Sequence, residues 1–228
     1  MPAGKTKPNK PRRKRILLVD DHALLRRGLK ALIETEPDLV VCAEAATRDA
    51  GMEVITSSKP DLVIADLSLQ NSDGLEMIKD IRKHFPQLPV LVLSMHDEHI
   101  YAERALRAGA GGYVTKQEMD DTVLIAIRRV LAGKVHTSEA MGRKFIKKFI
   151  GGGTLAKGSG MEILSNRELE VFKLIGQGRR TGEIAKALCV SVKTIESHRE
   201  NLKNKLDLSS GAKLARCATL WGETGRIV

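Results

Sequence analysis

Between residues 16 and 133 the chain alternates two kinds of apolar pattern. Short, nearly continuous runs rich in Val, Ile and Leu occupy 16–20 (ILLVD), 39–43 (LVVCA), 61–66 (DLVIAD), 89–94 (PVLVLS) and 112–115 (GYVT). Continuous runs of this kind predict strands covered on both faces, as in parallel sheets. Segments of helical length fall between them, near 23–35, 47–58, 74–84, 98–108 and 119–132. Sustained βα alternation predicts right-handed crossovers and an α/β, doubly wound, five-stranded parallel sheet.

The pattern changes after residue 133. Residues 134–150 predict a basic amphipathic helix, with Met141, Phe145, Ile146 and Phe149 among Arg143, Lys144, Lys147 and Lys148. The stretch GGGTLAKGSG (151–160) has the composition of a tether. Beyond it, Ser165 and Glu168 have capping-box spacing, Leu169, Phe172 and Ile175 form an apolar face, and Gly176 and Gly178 end the helix. Thr181 is expected to cap a second helix carrying Ile184, Ala185 and Leu188. Ser191 is expected to cap a third with Ile195, Leu202 and Leu206 inward, and a fourth near 210–221 holds Leu214, Ala218 and Trp221. Two short helices joined by a tight turn, the second polar on its outer face, predict a helix-turn-helix in a small all-α, four-helix domain.

Charge divides along the same lines. Residues 1–15 carry seven basic and no acidic groups, and read as a solvated basic tail. Residues 16–133 carry 13 basic and 19 acidic groups; residues 134–159 carry six basic and one acidic; residues 160–228 carry twelve and eight. An acidic module beside basic segments, within a net charge of +10, implies two tasks and a polyanionic partner for one of them. Aromatic residues make up only 3%, so the cores must be aliphatic. No apolar run reaches the roughly 18 residues of a membrane-spanning helix, and the basic start lacks the apolar region of a secretory signal. Cys42, Cys189 and Cys217 are widely separated, which fits reduced thiols in the cytoplasm. Walker A, G-x-S-x-G and G-x-G-x-x-G motifs are absent from the sequence.

In doubly wound sheets the ligand site lies beyond the carboxyl ends of the strands. There the sequence places Asp20 and Asp21 after strand 1, Asp66 after strand 3, Ser94 at the end of strand 4 and Lys116 after strand 5. Each has a local alternative, such as capping the next helix, but five at one rim point to shared chemistry. Three carboxylates supply hard oxygen ligands suited to Mg²⁺. A metal ion would cancel both their mutual repulsion and the charge of an incoming phosphoryl group. Lys116 offers a second cation and Ser94 a hydroxyl donor. His96 and His99 have a spacing that can ligate zinc, but no third ligand follows. His22 reads as a residue of the helix start.

This set, with DLSLQNSDGLE (66–76) and GAGGYVTK (109–116), resembles the flavodoxin-like receiver domain of two-component response regulators. The resemblance implies that Asp66 accepts phosphate from a sensor histidine kinase. It further implies that Asp20, Asp21, Asp66 and the backbone carbonyl of Ser68 hold Mg²⁺, with Ser94 as switch hydroxyl, Lys116 as phosphate-binding lysine and Tyr113 as the aromatic that follows Ser94. An ordinary core aromatic is the alternative for Tyr113. Two positions depart from the family pattern, Gln70 and Gln117, each standing where proline is frequent.

The outer face of the third C-terminal helix presents Lys193, Thr194, Glu196, Ser197, Arg199, Glu200 and Lys203. Lys, Thr and Arg suit phosphates, while Glu196 and Glu200 can accept from cytosine N4 in the major groove. ILSNRELEVFKLI together with VSVKTIESHRENLKNKL resembles the LuxR-type DNA-binding domain, and the whole resembles response regulators of the NarL/FixJ type. The expected organisation is a basic tail (1–14), a receiver (15–133), a linker helix and tether (134–160) and a DNA-binding domain (161–228). The resemblance implies a phosphorylation-dependent transcriptional regulator, not a turnover enzyme, that forms a homodimer on paired half-sites of double-stranded DNA. Two rivals stand beside it. A haloacid-dehalogenase-type phosphatase wants D-x-D after strand 1, and a constitutive DNA-binding protein would use the receiver only to dimerise.

Overall fold

The five apolar runs pair into one parallel sheet: β1 (Lys14–Val19), β2 (Leu39–Ala45), β3 (Leu62–Ala65), β4 (Val90–Ser94) and β5 (Gly112–Thr115). Their order is β2-β1-β3-β4-β5, with every pairing parallel. Residues 12–69, 74–118, 121–150 and 161–224 are described by this computed structural model, and the chain divides between Ser138 and Glu139 into two units.

Alternate strand residues face opposite layers, which is why the runs had to be apolar throughout. Ile16, Leu18, Ile64, Leu91, Leu93 and Val114 pack against Leu29 and Ile33 of α1 (Ala23–Glu34) and Val123, Ala126, Ile127 and Val130 of α5 (Asp121–Leu131). The other layer contains α2 (Arg48–Ser58), α3 (Gly74–His84) and α4 (Glu98–Ala108). Gly51 of α2 lies so close to it that an added Cβ would meet Met77 Cε at 2.8 Å and Val19 Cγ2 at 3.1 Å. Local signals set the helix ends. Thr47 caps α2, Asp97 caps α4 by accepting from His99 N–H at 2.9 Å, and Gly109 stops α4 with φ +112°.

The second unit contains α6 (Glu139–Ile150), a short 3₁₀ turn (Met161–Ile163), α7 (Asn166–Gly176), α8 (Thr181–Ala187), α9 (Val192–Lys205) and α10 (Gly211–Thr224). Its apolar core includes Leu164, Leu169, Phe172, Ile175, Ile184, Ile195, Leu202, Leu214 and Ala218. Gly176 permits close approach of α10, since a Cβ there would lie 2.5 Å from Ala218 O. The capping box of Ser165 and Glu168 and the cap of α9 by Ser191 form as the spacing predicts.

Several local expectations are corrected. The helix expected over 134–150 starts at Glu139, because 134–138 are drawn alongside β5. Thr181 is the first residue of α8, not its cap; Arg180 precedes it, and Glu183 accepts from the Arg180 N–H at 2.8 Å. Asp207, just past α9, adopts the left-handed conformation (φ +53°), which Asp tolerates better than most residues. The tail 1–11, Gln70 and the tether 151–160 lie outside the described residues.

Candidate functional site

The strand ends do converge. β1 stops at Val19, and the ladder runs one residue further through Asp20 N–H to Ala45 O (3.1 Å) and Asp66 N–H to Val19 O (2.9 Å). Asp20 and Asp66 are thereby held side by side and buried. Lys116 leaves β5 in a short 3₁₀ turn, and its ammonium lies between them, with Nζ 2.6 Å from Asp20 Oδ2 and 2.7 Å from Asp66 Oδ2. Its side chain is only 3% exposed. Burial opposes the charge, but Asp66 and Asp20 outweigh it and raise the lysine above its ordinary value.

The loop after β3 is shaped by backbone contacts. Ser68 N–H donates to Asp66 Oδ1 at 3.1 Å. Gly74, which opens α3, is obligatory: a Cβ there would lie 2.4 Å from Asp66 O and 2.5 Å from Leu67 Cα. No side chain larger than hydrogen fits beneath the carbonyl of Asp66.

Asp21 completes an acidic cluster. Ligand atoms of Asp20, Asp21, His22 and Asp66 all lie within 4.8 Å of one another. His22 Nδ1 is 2.8 Å from Asp21 Oδ1 and 3.2 Å from Asp20 Oδ1. Asp21 Oδ1 is nonetheless buried without a well-aligned hydrogen bond, and the Arg26 guanidinium donates to the backbone carbonyl of Asp20. An oxygen-rich cluster with an under-satisfied buried carboxylate oxygen fits a hard divalent cation.

Ser94 is fully buried, and its Oγ accepts from His96 N–H at 3.3 Å. Tyr113 is buried too, with its hydroxyl donating to His96 O at 2.9 Å. Burial pushes the Tyr113 phenol far above its ordinary value, partly offset by the Ser94 hydroxyl. The His96 ring stacks on Tyr101 with centroids 4.4 Å apart, and Nε2 lies 2.7 Å from Ser68 Oγ. The zinc alternative is thus replaced by a bridge from the Ser94 loop to the Asp66 loop.

Sequence reasoning did not assign His22, Arg26, His96 or Gly74 to the site. His22 follows the carboxylate doublet directly, and Gly74 ends the D-G pair of the 66–76 motif, so those two carried a signal. Arg26 and His96 enter through loop geometry that no spacing encodes.

In the second unit, α9 buries Ile195 and Leu202 and leaves Lys193, Glu196, Ser197 and Glu200 exposed. These four share one helical face; Thr194 and Arg199 flank the buried stripe and are half-buried, as is Lys203. Thr194 Oγ1 is 2.8 Å from Ser191 Oγ, Ser197 Oγ donates to Lys193 O at 3.1 Å, and Lys203 pairs with Glu200 at 2.7 Å. Lys205 is exposed, and its Nζ donates to Glu168 Oε2 at 2.6 Å, tying the end of α9 to the start of α7.

Comparison with known proteins agrees with this geometry. Residues 16–128 match the response regulator receiver domain, and residues 162–218 match the bacterial regulatory proteins of the luxR family. Oxygen regulatory protein NreC of Staphylococcus haemolyticus is 34% identical over 90% of this chain and 96% of its own, as is NreC of Staphylococcus aureus. A LuxR-family two-component response regulator from Aurantimonas sp. SI85-9A1 aligns with TM-score 0.56 and 34% identity over 60% of this chain and 99% of its own. RcsB of Salmonella enterica serovar Typhimurium, solved bound to promoter rprA with the phosphomimetic BeF₃⁻, aligns with TM-score 0.56 and 27% identity over 90% of this chain and 97% of its own. The chain belongs to the two-component response regulators of the NarL/FixJ type, a receiver domain joined to a LuxR-type DNA-binding domain.

Proposed function

We propose that Asp66 is the phosphoacceptor of this regulator and that a sensor histidine kinase is the donor. The observation that carries the reading is the buried Lys116 ammonium shared by Asp20 and Asp66. A lysine held there by two carboxylates is positioned to follow the added negative charge when Asp66 gains a phosphoryl group. Asp66 attacks phosphorus through one carboxylate oxygen, and the bond from phosphorus to the donor's imidazole nitrogen breaks. Asp20, Asp21 and Asp66, with the Ser68 carbonyl, would hold Mg²⁺, which supplies charge neutralisation for the transferring group. Ser94 donates its hydroxyl to a phosphoryl oxygen, and Tyr113 moves with it. The chain undergoes one phosphorylation event per activation and does not turn over a substrate.

RcsB has been solved as dimers on DNA. By analogy, the phosphorylated chain dimerises and places two copies of α9 in successive major-groove half-sites. Lys193, Thr194, Arg199 and Lys203 meet phosphates, and Glu196, Ser197 and Glu200 meet base edges.

The chemistry is tested by incubating the full chain with acetyl phosphate and Mg²⁺, then mapping the mass increase by peptide analysis. One phosphoryl group on the Asp66 peptide, dependent on Mg²⁺ and absent in Asp66→Asn, is expected. Equal labelling of D66N contradicts the assignment.

A further inference from the structure

The segment that leaves α5 is fastened to the two places the phosphoryl site governs. The chain turns at Gly133 (φ +72°), and Lys134 N–H donates to Arg129 O at 2.9 Å. It then runs beside β5: Tyr113 N–H donates to His136 O at 2.9 Å, and His136 N–H donates to Gly111 O at 3.1 Å. The result is a parallel bridge between Gly112 and His136. Contact is close enough that a Cβ on Gly112 would lie 3.0 Å from His136 O and 3.1 Å from His136 Cβ. Two side chains add to the hold. Arg129 Nη2 donates to Val135 O at 3.1 Å, and Ser138 N–H donates to Glu98 Oε1 at 2.8 Å. The next residue, Glu139, opens α6.

Two of these anchors, Tyr113 and Glu98, also belong to the switch region. Tyr113 gives its N–H to the segment and its hydroxyl to the carbonyl of His96, just beyond Ser94. Glu98 sits in the first turn of α4, directly after the cap Asp97. A displacement of the loop from Ser94 to Glu98 therefore acts on the Ser138 N–H directly, and a bond to a charged acceptor is among the stronger ones it could break.

We propose that residues 134–138 form a strap that couples the Ser94–Glu98 loop to the start of α6, with the Glu98–Ser138 hydrogen bond as its catch. The coupling rests on the phosphoryl-switch reading above, whereas the hold itself does not. In the unphosphorylated chain the catch keeps the start of α6 fixed; movement of Ser94 and Tyr113 toward a phosphoryl group withdraws Glu98 and releases it.

Amide hydrogen exchange on the full chain tests this, with Mg²⁺ and beryllofluoride as the phosphoryl mimic. Without any mimic, Glu98→Ala should speed exchange of amides 136–142 by about tenfold, the usual worth of one charge-assisted bond. Glu98→Gln keeps an acceptor and should have a smaller effect. Ser138→Pro removes the donor and should match E98A over 139–142, which separates loss of the bond from any other role of Glu98. Beryllofluoride should speed the same amides in the wild type and add less than about twofold in E98A, because the catch is already open. Unchanged exchange in E98A overturns the strap. Beryllofluoride bound to the wild type with no change at 136–142 overturns the coupling. Failure of the wild type to bind beryllofluoride fails the Asp66 reading and the coupling with it, while the E98A comparison still decides the hold.

Discussion

Lys116 is the residue on which the site's electrostatics turn. Its ammonium bridges Asp20 and Asp66 in a buried position, so removing it strands two carboxylates. We expect Lys116→Met to cost about 3–5 kcal/mol of receiver stability at neutral pH, the typical penalty for breaking a buried pair from one side. Because the folded lysine is raised above 10.5, its contribution is complete below that value and fades only as pH rises through the higher folded one. Mg²⁺ should restore part of the loss, since a bound cation stabilises the folded state in proportion to its occupancy. Thermal unfolding of K116M with and without Mg²⁺ checks both; a variant as stable as wild type without metal would show that the lysine is not needed there. Asp20, Asp21, Asp66, Ser94 and Lys116 were legible in the sequence because each ends or follows a strand, and strand ends are where a doubly wound sheet collects its ligand groups. His96 was not, because its link to Ser68 depends on how two loops fold toward each other.

At the scale of elements, glycines separate packing from propensity. Gly176 and Gly182 both lie in helices of the DNA-binding unit, but only Gly176 faces a neighbour. Gly176→Ala should push α10 away and cost about 1–3 kcal/mol, as overpacking does. Gly182→Ala, in open space, should gain up to about 1 kcal/mol of helix propensity. Trp221, the chain's single tryptophan, contacts Phe172 with ring centroids 5.8 Å apart, so its fluorescence during denaturant unfolding reads this unit. Opposite signs for the two variants are expected, and equal shifts would contradict the packing. The same probe reads the tie between α7 and α9. Burial alone would raise Glu168, but Lys205 and the Ser165 backbone outweigh it and leave the group below 4.5. Its stabilisation is therefore present above pH 4.5 and is lost as pH falls through the lower folded value. Glu168→Gln should be less stable than wild type at neutral pH, with the gap closing in acid; a gap independent of pH would mean that the charge is irrelevant. Periodicity gave these helices to within about three residues, since capping spacing and apolar faces are local. It misplaced the start of α6 because the pull on 134–138 comes from β5, through a close approach that Gly112 eases.

For the whole molecule, the acidic stretch 16–133 lies in the first folded unit, and the second unit, Glu139–Val228, is basic. The haloacid-dehalogenase family is not that of this chain, which matches the response regulator receiver domain over residues 16–128 and the luxR family over residues 162–218. What joins the units functionally is the claim that charge added at Asp66 changes how α9 meets DNA. The most direct measurement is a genome-wide DNA pull-down with the full chain, with and without acetyl phosphate and Mg²⁺, run beside Asp66→Asn. We expect phosphodonor to enrich a defined set of fragments carrying paired half-sites in the wild type and to leave D66N unresponsive. Identical enrichment with and without phosphodonor in the wild type, or an equal response from D66N, would contradict the account.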